Sequence, residues 1–141
     1  METMYRDGGS APHLSGPHPV VMVIDDSPTI RKIVEVTFGR EGCQVAAFAD
    51  GVAALRWLRE ARGPAPALCL LDITLPHMDG FEVARRFRQR PELASMRIVM
   101  LSRHAGMLDR LKARLAGADA YLIKPVYTDA LLALLPVGGR V

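Results

Sequence analysis

The sequence predicts a doubly wound α/β domain: a parallel five-stranded sheet in the order 2-1-3-4-5 with five helices. Three observations lead there. Short apolar runs such as Val20-Val21-Met22-Val23-Ile24 and Leu68-Cys69-Leu70-Leu71 are too brief for helices and too uniformly apolar for strands with a wet face, as expected of strands covered on both sides. Between them lie stretches with apolar residues at helical spacing, and a parallel crossover needs such a helix. Proline and glycine then punctuate the joints, as at Gly63-Pro64, Pro76 and Gly80.

Taken in order, residues 1–18 lack periodicity and carry Gly8-Gly9, Pro12, Gly16 and Pro17, so a flexible tail is expected before a domain at 19–136. Strand 1, Val20 to Ile24, ends in Asp25-Asp26. Ser27-Pro28 supplies an N-cap and a proline at the first helical position, where its missing N–H does no harm. Ile30, Ile33, Val34, Thr37 and Phe38 form the buried stripe of helix 1, up to Gly39. Gln44 to Phe48 is a weaker strand, and Asp50-Gly51 caps a second helix with Ala54, Leu55, Leu58 and Ala61 inward; its modest apolarity suggests a sheet edge. Strand 3 runs from Leu68 to Asp72. A loop, Ile73 to Asp79, leads to helix 3 from Gly80 to about Arg90, with Phe81, Ala84 and Phe87 facing in. Strand 4, Arg97 to Leu101, ends on Ser102. Helix 4 spans about Gly106 to Ala116 with Leu108, Leu111 and Leu115 on one side and Gly117 as its stop. Strand 5, Ala120 to Ile123, ends on Lys124-Pro125, and a leucine-rich helix 5, Thr128 to Leu135, closes the domain before a short tail at 137–141.

A chain of 141 residues predicts one domain. No apolar run approaches bilayer length and the first 19 residues hold no apolar signal core, so no membrane contact and a cytoplasmic location are expected. Cys43 and Cys69 read as reduced thiols. The net charge of +3 is modest, and Arg85, Arg86, Arg88 and Arg90 read as a solvated helix face without interleaved aromatics, so no direct nucleic-acid contact is expected.

In an open parallel sheet, chemistry belongs at the carboxyl ends of the strands. Collecting the polar residue at each end gives Asp25 and Asp26, Asp72, Ser102 and Lys124 along one edge. Three crowded carboxylates repel and raise their own pKa values unless a cation neutralises them. Mg²⁺ suits the position, because it binds through one or two carboxylates, retained waters and phosphate oxygens. Lysine suits phosphate as a compact charge, and a serine hydroxyl can donate to a phosphoryl oxygen. Together they suit phosphoryl transfer onto Asp72. Singly, each residue has an ordinary reading: a helix cap pair, a turn, a strand-end cap.

Between Val20 and Leu135 the chain resembles the receiver domain of two-component response regulators. The residues that carry the resemblance are Val-Ile-Asp25-Asp26-Ser, Leu-Leu-Asp72-Ile-Thr-Leu-Pro76-His-Met-Asp79-Gly80, Met-Leu-Ser102, and Gly-Ala-Asp119-Ala-Tyr121-Leu-Ile-Lys124-Pro125. It implies the flavodoxin-like form of the fold, a histidine kinase or phosphotransfer protein as phosphoryl source, and Asp72 as acceptor. It also implies Mg²⁺ held by Asp26 and Asp72, with Asp25 acting largely through water and the Thr74 carbonyl completing the set. Lys124 pairs with the phosphoryl group and Lys124-Pro125 is a cis peptide by the same resemblance. Ser102 and Tyr121 form a switch, and helix 4, strand 5 and helix 5 make the partner face. The single-domain receivers of chemotaxis and twitching motility are the most similar kind.

Two positions depart from the family pattern. Arg103 stands where a small residue is usual, placing a guanidinium over the acceptor site, and Thr74 replaces an amide or methionine. An aspartate-nucleophile phosphatase needs a second acid two residues after the nucleophile, which Asp25-Asp26-Ser27 and Asp72-Ile73-Thr74 do not provide. A phosphorylation-independent interaction module and the receiver of a longer regulator, with Gly138-Gly139-Arg140 opening a linker, are the other readings. Leu131, Leu132, Leu134 and Leu135 exceed one buried stripe, so some are expected outside, in a monomer or weak dimer.

Overall fold

The computed structural model describes residues 19–61, 64–104 and 106–135; the tails expected at 1–18 and 137–141 lie outside them. The chain alternates β1 (Val20–Ile24), α1 (Pro28–Gly39), β2 (Gln44–Phe48), α2 (Gly51–Glu60), β3 (Leu68–Asp72), α3 (Gly80–Arg88), β4 (Arg97–Ser102), α4 (Met107–Leu115), β5 (Ala120–Ile123) and α5 (Thr128–Leu132). The strands form one parallel sheet in the order β2-β1-β3-β4-β5. β2 is an edge, as its weak apolarity suggests.

Side chains alternate across a strand, and the two faces build two cores. Met22, Ile24, Cys69, Leu71, Ile98 and Met100 pack with α2, α3 and α4 on one side. Val21, Val23, Leu70, Val99 and Leu101 pack with α1 and α5 on the other. Every residue of β1 and β3 is buried, which explains their unbroken apolar sequences. Ser27, Asp50 and Asp79 cap α1, α2 and α3 by accepting from the amides of Ile30, Ala53 and Glu82.

Several boundaries and faces differ from expectation. α3 ends at Arg88 because Pro91 disfavours a helical Arg90, which is extended (φ −103°, ψ 114°), and a 3-10 turn over Pro91–Leu93 follows. α3 also turns the unforeseen Val83 inward with Ala84 and Phe87, leaving Phe81 half-buried. α2 stops at Glu60, so Ala61 is exposed. α5 is shorter than expected, its helix giving way at Ala133 to i→i+3 bonds from Leu134 and Leu135 just before Pro136.

The largest corrections concern two leucine stripes. Leu131, Leu134 and Leu135 are buried and Leu132 is partly so, against the expectation that some lie outside. Conversely, Leu108, Leu111 and Leu115 face solvent, with Met107 beside them. α4 faces the sheet with the small residues Ala113 and Ala116, which are buried in the same core as Met100. A helix seated by alanines must turn its leucines outward.

Candidate functional site

The register brings the expected residues together. Ile24 pairs with Leu71, Asp72 with Leu101 and Ser102 with Ile123, so Asp25, Asp72, Ser102 and Lys124 stand at neighbouring strand ends. The chain leaves β1 toward β2 on one side and returns to β3 on the other, so the site lies at the topological switch point.

Asp25 is fully buried. Its Oδ1 accepts from the Ser27 amide at 2.9 Å, while its Oδ2 lies 2.8 Å from Lys124 Nζ without a hydrogen bond of good angle. Arg31 Nη1 donates to the Asp25 carbonyl at 2.8 Å and so steadies the β1–α1 turn. Asp26 projects to solvent. Asp72 is also buried, with Oδ1 accepting from the Thr74 amide at 3.1 Å and Oδ2 3.3 Å from Lys124 Nζ. Lys124 therefore bridges two carboxylates, and its amide donates to the Ser102 carbonyl at 2.7 Å. The Lys124–Pro125 peptide is cis.

Burial, and after it the Asp25 charge, push the Asp72 carboxyl above its ordinary value; Lys124 and the Thr74 amide draw it back only in part. This is the electrostatic signature of a site short of positive charge. Carboxylate oxygens of Asp25, Asp26 and Asp72 lie within 4.8 Å of one another, and one of them, Asp25 Oδ2, is buried with no good hydrogen bond. An all-oxygen donor set, one buried member of which meets only the Lys124 ammonium, fits a hard divalent cation.

Ser102 is buried and its Oγ accepts from the His104 amide at 3.0 Å. Tyr121 is half-buried, and its hydroxyl donates to the His104 carbonyl at 2.8 Å. One peptide segment thus touches Ser102 through its N–H and Tyr121 through its carbonyl. The Arg110 guanidinium sits 5.1 Å from the Tyr121 ring centroid, within cation–π range. Neither His104 nor Arg110 was foreseen, since both act on residues distant in sequence and one acts through its backbone alone. Arg103 is exposed, with no ion pair or hydrogen bond from its side chain among the described residues. Thr74 is exposed and reaches Asp72 through its amide.

Gly80 explains why the loop after β3 needs a glycine. A Cβ there would run into the Asp72 carbonyl oxygen and approach Ile73 Cα to 2.8 Å, while the Gly80 amide donates to the Ile73 carbonyl at 2.8 Å. Asp119, present in a motif of the resemblance without a stated role, is structural: its Oδ2 accepts from the Ile98 amide and from Arg88 Nη2, both at 2.9 Å.

The response regulator receiver domain family matches this chain over residues 21–136. Protein PilG of Pseudomonas aeruginosa is 36% identical over 112 residues, covering 79% of this chain and 81% of PilG. Transcriptional regulatory protein AfsQ1 of Streptomyces coelicolor is 39% identical over 108 residues, covering 77% of this chain but 45% of its own length. The solved chemotaxis response regulator CheY4 of Vibrio cholerae superposes with a TM-score of 0.75 at 30% identity, covering 82% of this chain and 93% of CheY4. With its sheet order, its switch-point acids and these likenesses, the chain belongs to the receiver domain family of two-component response regulators.

Proposed function

We propose that Asp72 accepts a phosphoryl group from a histidine kinase or phosphotransfer protein, in a Mg²⁺-dependent reaction, within a cytoplasmic receiver unit spanning residues 19–136. The observation that carries this is Lys124 bridging Asp25 and Asp72 at 2.8 and 3.3 Å beside a third carboxylate, a pair of buried acids supplied with one cation where phosphorylation calls for more. Asp25, Asp26 and Asp72, with the Thr74 carbonyl, would hold the metal, Asp25 largely through water. Bound there, Mg²⁺ supplies positive charge to the carboxylates and to the phosphoryl oxygens.

An Asp72 carboxylate oxygen attacks phosphorus in line, forming the P–O bond as the donor's P–N or P–O bond breaks. The electron pair of that bond leaves with the donor. Lys124 keeps its ammonium against the phosphoryl group, and the Ser102 hydroxyl donates to a phosphoryl oxygen. Drawing Ser102 toward the phosphate moves the 102–104 segment, which also carries the Tyr121 hydroxyl bond. Ser102 and Tyr121 thereby pass the event to α4, β5 and α5, the face that meets a downstream partner. The chain acts as a phosphoacceptor that assists its own phosphorylation and dephosphorylation, not as an enzyme acting on a separate substrate.

The test is incubation with acetyl phosphate and Mg²⁺ followed by intact-mass measurement. Wild type gains one phosphoryl mass and Asp72→Asn gains none. If wild type takes up none while Mg²⁺ binding is confirmed, the chain is instead a phosphorylation-independent interaction module. The Arg103 side chain has no ion pair or hydrogen bond among the described residues, and Arg103→Ala changes the lifetime of the phosphorylated form; equal dephosphorylation rates would remove Arg103 from the site.

A further inference from the structure

Of the three carboxylates at the switch point, two are held through their own side chains. Asp25 Oδ1 accepts from the Ser27 amide and its Oδ2 lies 2.8 Å from Lys124 Nζ, while Asp72 meets the Thr74 amide and, at 3.3 Å, the same ammonium. Asp26 differs: it is exposed, and its side chain has no hydrogen bond or ion pair among the described residues. Yet one of its oxygens lies within 4.8 Å of those of the other two acids, so the aiming falls to its backbone. The atoms from Asp25 Cα to Asp26 Cα form one planar peptide unit, and whatever fixes the Asp25 carbonyl also fixes the point from which the Asp26 side chain departs. The Asp25 amide donates to the Phe48 carbonyl at 3.0 Å, but no backbone amide meets the Asp25 carbonyl among the described residues. Arg31 Nη1 does, at 2.8 Å. Arg31 is the fourth residue of α1, and helical side chains lean toward the N-terminus, which carries its guanidinium back over the turn. A cation there runs against the helix dipole, and α1 has no acid in its first turn to offset it. Local helix energetics thus gives no reason for an arginine at this position, whereas the bond to Asp25 does.

We propose that Arg31 is the positioning residue of the cation site: by holding the Asp25–Asp26 peptide plane, it presets the Asp26 carboxylate for a divalent ion. The inference rests on the reading of Asp26 as a Mg²⁺ ligand and deepens it by naming what aims that ligand. A competing account, in which Arg31 only balances the charge of the acids, predicts the opposite sign. Removing a cation beside three carboxylates would tighten the binding of a divalent ion. Freeing the peptide plane instead leaves only a fraction of the molecules with Asp26 in place, and weakens binding by that fraction.

The experiment titrates the full chain with Mn²⁺ alone, reading the free ion by electron paramagnetic resonance, and then displaces it with Mg²⁺. Arg31→Met keeps an unbranched side chain and removes the donor; it should weaken Mn²⁺ binding by about three- to tenfold. Arg31→Lys, which restores a charged donor, should bring the affinity back to within about twofold of wild type. The Mg²⁺ concentration that gives half-maximal acetyl phosphate uptake should rise in Arg31→Met by the same factor as the Mn²⁺ affinity falls, with a smaller effect on the rate at saturating Mg²⁺. In the Asp26→Asn background, itself weaker than wild type, Arg31→Met should add little further loss. Mn²⁺ binding that is unchanged or tighter in Arg31→Met, with its fold verified by circular dichroism, would overturn the proposal. A full additional loss in the Asp26→Asn background would do the same. Should Arg31→Met fail to fold, Arg31→Gln, neutral and shorter, takes its place with the same outcomes. Wild-type binding that Asp26→Asn leaves untouched would sink the reading of Asp26 as a ligand, and the positioning role with it. Binding weakened by Asp26→Asn but not by Arg31→Met would sink the positioning role alone.

Discussion

Replacing Asp72 with Asn should stabilise the protein when no divalent cation is present. Folding buries Asp72 close to Asp25, and oxygens of the acid cluster lie within 4.8 Å of one another. Two unit charges at that separation repel by about 3 kcal/mol at an effective dielectric constant near 20. Lys124, at 2.8 and 3.3 Å, offsets part of this but leaves the Asp72 pKa above its ordinary value. The net cost of the ionised Asp72 is then about 1–2 kcal/mol, an amount that raises Tm by about 3–8 °C when removed. The sign follows from linkage: a carboxyl whose pKa is higher folded than unfolded binds its proton more tightly in the folded chain. Its penalty is absent below the unfolded value of 3.8, grows as pH rises through the folded value, and is complete above it. Thermal unfolding in EDTA at about pH 7.5 should therefore place Asp72→Asn above wild type, with the gap closing toward about pH 4. Added Mg²⁺ should raise wild type more than the variant. A variant no more stable than wild type at about pH 7.5 in EDTA, or a gap unchanged at about pH 4, would refute the reasoning.

Lys124→Met should act in the opposite direction, costing about 3–5 kcal/mol in EDTA because two buried carboxylates lose their cation, and the loss should shrink in the Asp72→Asn background. Urea unfolding of both single variants and the double variant measures that coupling. Gly80→Ala forces its new Cβ onto the Asp72 backbone, so a loss of about 1–3 kcal/mol in urea should accompany slower phosphoryl uptake; unchanged stability would mean that α3 shifts freely. Asp119→Ala leaves the Ile98 amide and Arg88 without their shared acceptor and should cost about 1–3 kcal/mol, whereas Asp119→Asn should cost less by keeping a bond to the amide. Burial raises the thiol pKa of Cys69, and burial followed by Glu41 raises that of Cys43, so neither should react with iodoacetamide at about pH 8 until the chain is unfolded.

The strand ends were legible because buried parallel strands write themselves as unbroken apolar runs, and a polar residue that stops such a run marks the sheet's rim. Asp25, Asp72, Ser102 and Lys124 could be collected on that rule alone, and the sheet order then set them side by side. Gly80 and Asp119 were visible as motif residues, yet their work was not, since one spares the Asp72 backbone a collision and the other ties Arg88 to the start of β4. His104 left no trace at all, because its part is played by a peptide group that any residue carries.

Local pattern by itself determined the fold class, the sites of the five strands and the polar residues at their ends, because both depend on burial periods read within a few residues. Tertiary structure alone decided which way the amphipathic helices roll. The leucines of α4 share one side of the helix, but that side faces solvent, and Ala113 and Ala116 are the residues buried against the sheet. It also decided that Lys124 spans two carboxylates and that Ser102 and Tyr121 share one peptide segment. Those relations join chain segments far apart in sequence, and distances of that kind exist only once the sheet has closed in register.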